Sequence, residues 1–471
     1  TFDDVLLVPK FSDVSSRSET DLSTQLSRNI SINIPLISAN MDTVTESSMA
    51  VTIAREGGIG IIHRFLTIQE EVNEVLKVKR SGSVMIENPY SINPEQTIQN
   101  AFSIMNEKQV SGLLVVDSNS KLVGILTGRD VLFEPPNCSK LVKELMTKDV
   151  VTAKLGIDLE EAKEVLKKNR IEKLPIIDDN NLVKGLITCQ DISNLEKYPN
   201  ASKDNKGRPI VGAAVGVKGD FMERTEALID AGTDAIVVDI AHGHSENAIN
   251  TVKNIKKAFS DCEIIAGNVA TAKGTEDLIK AGVDAVKVGV GSGSICITRV
   301  ITGSGVPQLT AVLDCAKVGK EYNIPIISDG GTRNSGDATK ALAAGASSIM
   351  VGSILGGTDE TPGTTITKNN KRFKIYRGMA SLGASMGRKT RETGAFELTD
   401  DINDYVAEGV DAMVPYKGSV TDIITQITGG IRSGLSYCGA HNIKQMHENA
   451  EFIKISGAGF AESQPHDVDI M

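Results

Sequence analysis

The sequence has no tryptophan, and aromatic residues make up only 4% of its 471 positions. Its six cysteines form no Cys-x-x-Cys pair and no regular framework, which argues against a disulfide scaffold and predicts free thiols in a reducing cytosol. No apolar run approaches the roughly 18 residues that a membrane-spanning helix needs. The first residues lack the basic-then-apolar order of a signal peptide. We therefore expect a cytoplasmic protein with no membrane partner.

An excess of positive charge is also missing. The formal net charge is −10, which argues against a nucleic-acid surface as the main partner. Hydrophobic residues make up 40% and charged residues 23% of the chain, as in ordinary globular proteins. The length predicts two or three domains of roughly 100–200 residues each.

Segments typical of strands and helices alternate in two separate parts of the chain, residues 1–83 and 197–471. The first part contains two strand–helix units and the second contains six, which together make eight. Strictly alternating units indicate a parallel α/β architecture, and eight units close a TIM (β/α)8 barrel. In such barrels the functional residues follow the carboxyl ends of the strands.

An internal repeat interrupts this alternation at residues 84–196. Thr127 and Asp130 of the first copy return 61 positions later as Thr188 and Asp191. The copies span about residues 85–133 and 141–193. Each copy, a β-hairpin preceded by an amphipathic helix, resembles a CBS domain, and the pair resembles a Bateman module. The resemblance implies that these Thr and Asp side chains face the ribose of an adenine or guanine nucleotide effector, the alternative being a degenerate module that only packs.

A glycine-rich loop containing one cysteine follows an apolar run at residues 285–288. Three glycines within five positions allow a tight turn and a close approach to a bound group. Thr298 and Arg299 stand beside Cys296, and a cation or free backbone amides can lower a thiol pKa enough to make it a nucleophile. The alternative is a small buried cysteine, but such a residue does not require a glycine-rich loop. The sequence therefore predicts that Cys296 is reactive.

Polar residues and glycines gather where the predicted strands end. They are Asp239, Asn268, Gly289, Cys296, Asp329, Gly331, Gly352 and Ser353. Asp329, followed by two glycines, suits a ribose diol, and Gly352 with Ser353 suits a phosphate. Asp239 suits a second ribose, as in a nicotinamide cofactor, although no G-x-G-x-x-G motif predicts a Rossmann domain. Each aspartate alone has an alternative role as a strand-end cap, but their joint placement favours a site.

Several motifs together resemble the IMP dehydrogenase / GMP reductase family. They are Gly-Ser-Gly-Ser-Ile-Cys-Ile-Thr-Arg at residues 291–299, Asp-Gly-Gly at 329–331, Tyr-Arg-Gly-Met at 376–379, and the segments 1–9 and 455–467. The likeness extends over essentially the whole chain. It implies that Cys296 adds to C2 of a purine mononucleotide, that hydride passes from C2 to NAD, and that water releases the product.

The resemblance also implies which residues bind each partner. The mononucleotide would contact Ser38, Ser294, Asp329, Gly331, Gly352, Ser353, Tyr376, Gly378 and Met379, with Glu408 near the purine. NAD would lie against Asp239, Asn268 and Gly289. K⁺ would be bound by carbonyls of Gly291, Gly293 and Cys296, and by Glu462, Ser463 and Gln464 of a neighbouring subunit. Carbonyl oxygens are suitable hard ligands. A site shared between subunits requires a homo-oligomer, and the resemblance implies a tetramer or an octamer.

One departure from the family pattern concerns a flap expected at about residues 380–418. Dehydrogenases of the family usually have an adjacent Arg-Tyr pair there, whose arginine activates the hydrolytic water, but residues 384–396 contain none. Arg388 or Arg391 is a possible substitute, and Thr298 with Glu408 is an alternative base relay. Ala241 is a second departure, because dehydrogenases often have serine there.

The motifs favour oxidation of IMP to XMP with NAD. The alternative within the family is a CBS-containing GMP reductase, which converts GMP to IMP and ammonia with NADPH and needs no arginine in its flap. A third hypothesis, a non-catalytic regulator that binds adenine nucleotides, leaves the complete set of site residues without a purpose.

Overall fold

Eight parallel strands close into a barrel in the computed structural model, which describes residues 1–82, 85–393, 406–465 and 468. The strands β1–β8 are Leu36–Ser38, Ile59–Ile62, Val211–Val215, Ala235–Asp239, Glu263–Val269, Ala285–Val288, Ile326–Asp329 and Ser348–Val351. Each strand pairs with the next one along the chain, and β8 pairs with β1 to close the ring. The predicted TIM barrel is confirmed.

Helices surround this barrel. The helices α1–α8 are Ser47–Arg55, Ile68–Arg80, Phe221–Asp230, Glu246–Ala258, Ala272–Ala281, Gln308–Tyr322, Ser335–Ala343 and Val420–Tyr437. Side chains such as Ile61, Val237 and Ile327 fill the barrel interior, while neighbours such as Val238 and Ile326 pack in the layer of helices. Successive residues of a strand point to opposite faces, so each strand serves both cores.

The chain divides into two compact units. One comprises residues 80–199 and 206–208, and the other contains the barrel. The smaller unit has two three-stranded sheets, Ser91–Ile92, Gly112–Val116 and Leu122–Thr127, then Ala153–Lys154, Lys173–Ile177 and Val183–Thr188. Its helices are Ile98–Lys108, Val142–Leu145, Leu159–Asn169 and Cys189–Lys197. In both sheets the central strand has one parallel and one antiparallel neighbour.

Additional segments extend the barrel unit. A three-stranded antiparallel sheet lies between β8 and α8 and is formed by Ile366–Lys368, Lys371–Arg377 and Asp411–Pro415, with helix Leu382–Thr393 between the last two strands. Near the C-terminus come Ile443–Asn449, Phe452–Lys454 and Gly457–Glu462. The strand Phe452–Lys454 pairs with Val5–Leu7. Among the residues described, no helix combines the length and apolar character required to cross a membrane.

Candidate functional site at the carboxyl ends of the barrel strands

The cysteine loop follows β6, where the backbone has little room for side chains. A Cβ atom on Gly289 would lie 1.9 Å from the carbonyl oxygen of Asp329, so only glycine fits there. Gly291 has a φ of 74°, a left-handed conformation that glycine adopts without strain. The amide of Cys296 donates to the Gly293 carbonyl at 3.2 Å and closes the turn. The loop thus begins in close contact with Asp329 at the end of β7.

Cys296, Thr298 and Glu408 form a hydrogen-bonded chain. The Thr298 hydroxyl donates to Oε2 of Glu408 at 2.7 Å, and Sγ of Cys296 lies 3.1 Å from the Thr298 oxygen. A threonine hydroxyl has a single hydrogen, so while it donates to Glu408 the thiol must donate to it. The geometry therefore provides a path for a proton from sulfur to carboxylate.

Glu408 reaches the cysteine through pairing of backbone segments far apart in sequence. The Ile297 amide donates to the Glu408 carbonyl at 2.8 Å, and the Val410 amide donates to the Ile295 carbonyl at 3.0 Å. On its other side, the Glu408 amide donates to the Ala380 carbonyl at 3.1 Å. The cysteine loop is thus fixed to the segment that carries the carboxylate.

Lys287 of β6 lies at the centre of a second cluster. Its Nζ lies 2.9 Å from Oδ1 of Asp239 and 3.0 Å from Oδ2 of Asp329, and it also donates to Oδ1 of Asn268. The side-chain amide of Asn268, through Nδ2, donates to Oδ2 of Asp329 and to the Gly289 carbonyl, both at 2.8 Å. Sequence analysis singled out the acidic residues and Asn268 but missed the lysine. Its signal was a charged residue within an otherwise apolar strand.

The charges of this cluster stabilise one another. Burial alone would raise the pKa of Asp239, but the positive charges of Lys287 and Arg64 hold it below its ordinary value. Burial would lower the pKa of Lys287, but the carboxylates of Asp239 and Asp329 raise it instead. The Asp239 carboxylate and the Lys287 ammonium group are therefore charged near neutral pH.

One part of the cleft is a cavity of about 320 Å³. Its lining includes Ser294, Asp329, Gly331, Gly352, Ser353 and Tyr376 from the predicted mononucleotide set. Burial raises the pKa of Tyr376 to about 12, against the opposing effect of hydrogen bonds with Ser294 and Ser353. Its hydroxyl is therefore a neutral donor at physiological pH. Ser38, predicted for the same set, is instead fully buried, with its Oγ 2.9 Å from the Thr45 hydroxyl.

A second part of the cleft, about 430 Å³, adjoins the first. Its lining includes Cys296, Thr298, Glu408, Gly378 and Met379, together with the predicted dinucleotide residues Asp239, Asn268 and Gly289. Gly291, Gly293, Ser294 and Asp329 line both cavities. The Cys296 thiol is thus reached from the second part, beside the boundary with the first.

The remaining predicted residues lie elsewhere or outside the described part of the chain. Glu462, Ser463 and Gln464 are exposed at the end of the helix Gly457–Glu462, which lies beside the turn Phe2–Asp4. Their contribution to a K⁺ site in a neighbouring subunit stays a prediction. The side chains of Arg388 and Arg391 and the flap residues 394–405 lie outside the described residues.

The fold and the cleft define a class, the α/β barrels with a ligand site at the carboxyl ends of their strands. Within that class the match is specific. The model of the IMP dehydrogenase / GMP reductase domain matches residues 1–466, and the chain belongs to this family. The family predicted from the sequence motifs is therefore confirmed.

Individual relatives cover the chain from end to end. An inosine-5'-monophosphate dehydrogenase of Nitrosopumilus maritimus is 75% identical over 471 residues, all of this chain and 98% of the relative. One from Aquifex aeolicus is 53% identical over 472 residues, all of this chain and 96% of the relative. Among solved structures, a Trypanosoma brucei GMP reductase variant in complex with guanosine 5'-monophosphate is 45% identical, with a TM-score of 0.92, over 100% of this chain and 98% of that one.

Proposed function

We propose that this chain is an NAD-dependent oxidoreductase that converts IMP to XMP. The observation that carries the proposal is the Cys296–Thr298–Glu408 chain beside the boundary between two adjoining cavities. A nucleophile placed there can reach a purine bound on one side while a hydride acceptor lies on the other. The similarity to relatives named inosine-5'-monophosphate dehydrogenase supports the oxidative direction.

The smaller cavity is the proposed mononucleotide site. Gly352, Ser353 and the Tyr376 hydroxyl would bind the phosphate, since backbone amides and neutral hydroxyls donate to phosphate oxygens without competing charge. Asp329 would accept from the ribose hydroxyls. Ser294 and Gly331 would complete the pocket, and Gly378 and Met379 would contact the mononucleotide from the adjoining larger cavity. The side chain of Ser38 is fully buried, so Ser38 would affect the mononucleotide only indirectly, by stabilising the backbone around it.

The chain's own residues would move the proton in the first step. As Sγ of Cys296 bonds to C2 of the purine, its proton passes through the Thr298 hydroxyl to the Glu408 carboxylate. Hydride then leaves C2 with its electron pair for the nicotinamide ring. The purine is left attached to the enzyme as a thioimidate.

The same residues would act in the second step. Water adds to C2 of the thioimidate and loses a proton to the Thr298–Glu408 pair, and the C2–S bond breaks to regenerate the thiol. One hydride passes to NAD and one proton passes to solvent per XMP formed. Because residues 384–396 contain no Arg-Tyr pair, we assign activation of the water to this relay, with Arg388 or Arg391 as the alternative.

The larger cavity suits the nicotinamide half of NAD, which supplies the hydride-accepting carbon when bound. Asp239 is charged and would accept from the second ribose, and Asn268 and Gly289 would lie against the same group. The donor set of the cysteine loop suits K⁺, because carbonyls of Gly291, Gly293 and Cys296 follow one tight turn and carbonyl oxygens are hard ligands. Bound there, K⁺ would hold these carbonyls in one orientation.

Three further properties belong to this proposal. The repeat in residues 84–196 would be a CBS pair that binds adenine or guanine nucleotides at Thr127 and Asp130 or at Thr188 and Asp191. The protein would work in the cytoplasm. It would assemble as a tetramer or octamer, in which Glu462, Ser463 and Gln464 of a neighbouring subunit complete the K⁺ site.

Nicotinamide absorbance in two parallel reactions tests the direction. The first contains IMP, NAD and K⁺, and the second contains GMP and NADPH. We expect NADH to appear in the first reaction and the Cys296→Ala variant to be inactive. Oxidation of NADPH in the second reaction alone would refute the proposal and identify a reductase.

A further inference from the structure

Lys287 has an unusual position for a lysine. In β6 the side chains of Val286 and Val288 pack toward the helices, whereas Ala285 lies in the barrel interior. Alternation along the strand directs Lys287 to the same interior side. Only 3% of its side chain is exposed. A buried ammonium group is costly in free energy unless each of its protons has an acceptor. Its position therefore depends on the oxygen atoms around it.

The three oxygen acceptors of Lys287 come from three different strands. Asp239 ends β4, Asn268 lies in β5, and Asp329 ends β7. Lys287 itself lies in β6, so its ammonium group connects positions across half of the barrel mouth. Two of these acceptors are the carboxylates to which the proposed function assigns the two riboses.

Each carboxylate gives Lys287 only one oxygen, Oδ1 for Asp239 and Oδ2 for Asp329. An ionised carboxylate has about four acceptor positions, so each retains capacity for a ribose hydroxyl. Arg64 and Asn40 also interact with Asp239, and Asn268 donates to Asp329. Lys287 itself is in direct contact with both carboxylates.

We propose that Lys287 is a positioning residue that fixes Asp239 and Asp329 relative to each other and so sets the spacing between the mononucleotide and dinucleotide subsites. The inference rests on the proposed function, because that function assigns one ribose to each carboxylate. Without the ammonium group, two carboxylates would repel each other across the cleft, and the Asn268 oxygen would lose a donor. Both subsites would then be disturbed although Lys287 itself need not touch either ligand.

Titration calorimetry with one ligand at a time tests this proposal without turnover. IMP and NAD are titrated separately into the full-length wild type and into the Lys287→Met, Lys287→Gln and Lys287→Arg variants. Lys79→Met is the matched control. Lys79 is equally buried, with 3% of its side chain exposed, and it also bridges two carboxylates, those of Asp204 and Asp234, but it does not line the cleft.

We expect Lys287→Met and Lys287→Gln to weaken binding of both ligands, each by about tenfold or more, because a buried charge pair is broken at each subsite. Lys287→Arg should recover part of both affinities, since it restores a charge that can bridge two carboxylates. Lys79→Met should lower the melting temperature and leave both affinities unchanged. If Lys287→Met does not fold, the affinities of Lys287→Gln are compared with those of the wild type instead.

The outcomes separate this inference from the proposed function. A wild type that binds neither IMP nor NAD would overturn the proposed function. A wild type that binds both, with a Lys287 variant that binds both equally well or loses only one, would overturn the positioning role alone. Equal losses of affinity in Lys79→Met would also overturn it, because the effect would then reflect general destabilisation.

Discussion

Replacement of Thr298 by valine tests whether the proton path from Cys296 to Glu408 runs through the hydroxyl. Valine keeps the branched carbon skeleton of threonine but has no hydroxyl, so the change removes the hydrogen bonds of 3.1 and 2.7 Å. Sulfur and carboxylate then have no bridging atom between them. Because the same pair would also activate the hydrolytic water, both chemical steps should slow.

The size of the effect follows from the role of the pair. General-base catalysis contributes typically about 10²–10⁴-fold, which corresponds to about 3–5 kcal/mol of activation free energy. We expect a loss of kcat in this range for Thr298→Val and for Glu408→Gln, whose amide oxygen can still accept from the threonine. The double variant should lose no more than either single variant, because two links of one relay fail together.

Steady-state formation of NADH at saturating IMP and NAD measures these losses. Thr298→Ser, which keeps the hydroxyl, is the control and should retain most of the activity. If the double variant loses the product of the two single rate factors, the relay is refuted, because contributions that are independent of each other multiply in rate. An unchanged kcat in Thr298→Val would refute it as well.

Three other changes test separate parts of the structure. Cys296→Ala should abolish turnover yet retain IMP binding, and in the wild type bound IMP should protect this thiol from alkylation, as measured by mass spectrometry. Tyr376→Phe should weaken IMP binding by about 1 kcal/mol in calorimetry. Because burial raises the pKa of Tyr376 from 10.0 to about 12, the wild-type affinity should not fall as pH passes 10.0. Ile61→Ala removes a fully buried side chain in the barrel interior and should cost about 2–5 kcal/mol in denaturant unfolding without changing KM.

Local patterning accounts for most of the barrel. The eight strand–helix units form as predicted, and the strand Ala285–Val288 coincides with the apolar run at residues 285–288. The antiparallel sheet after β8 was not predicted. Its pairs, such as Ile375 with Met413, join residues far apart in the chain, so no local period reveals them.

The candidate site was predictable in its residue types and less so in its contacts. Cys296, Asp239 and Asp329 stand out because strand ends in a parallel barrel share one face. The link between Thr298 and Glu408 depends on backbone pairing across 110 positions, which the sequence suggests only through family resemblance. Lys287 is hard to predict because it lies in an otherwise apolar strand, and its acceptors come from other strands that the local sequence does not identify.

The proton balance explains how one carboxylate can serve both chemical steps. Oxidation of IMP requires a proton to leave the thiol, a second proton to leave water, and one proton to return to the departing sulfur. If Glu408 accepts the first proton and passes it to solvent before the water attacks, it can accept the second and return it to Cys296 through Thr298. Glu408 is half-buried, so its side chain is in contact with the solvent to which this proton would pass. Such a relay would need no flap arginine, so the proposed oxidation of IMP is compatible with the absence of an Arg-Tyr pair in residues 384–396.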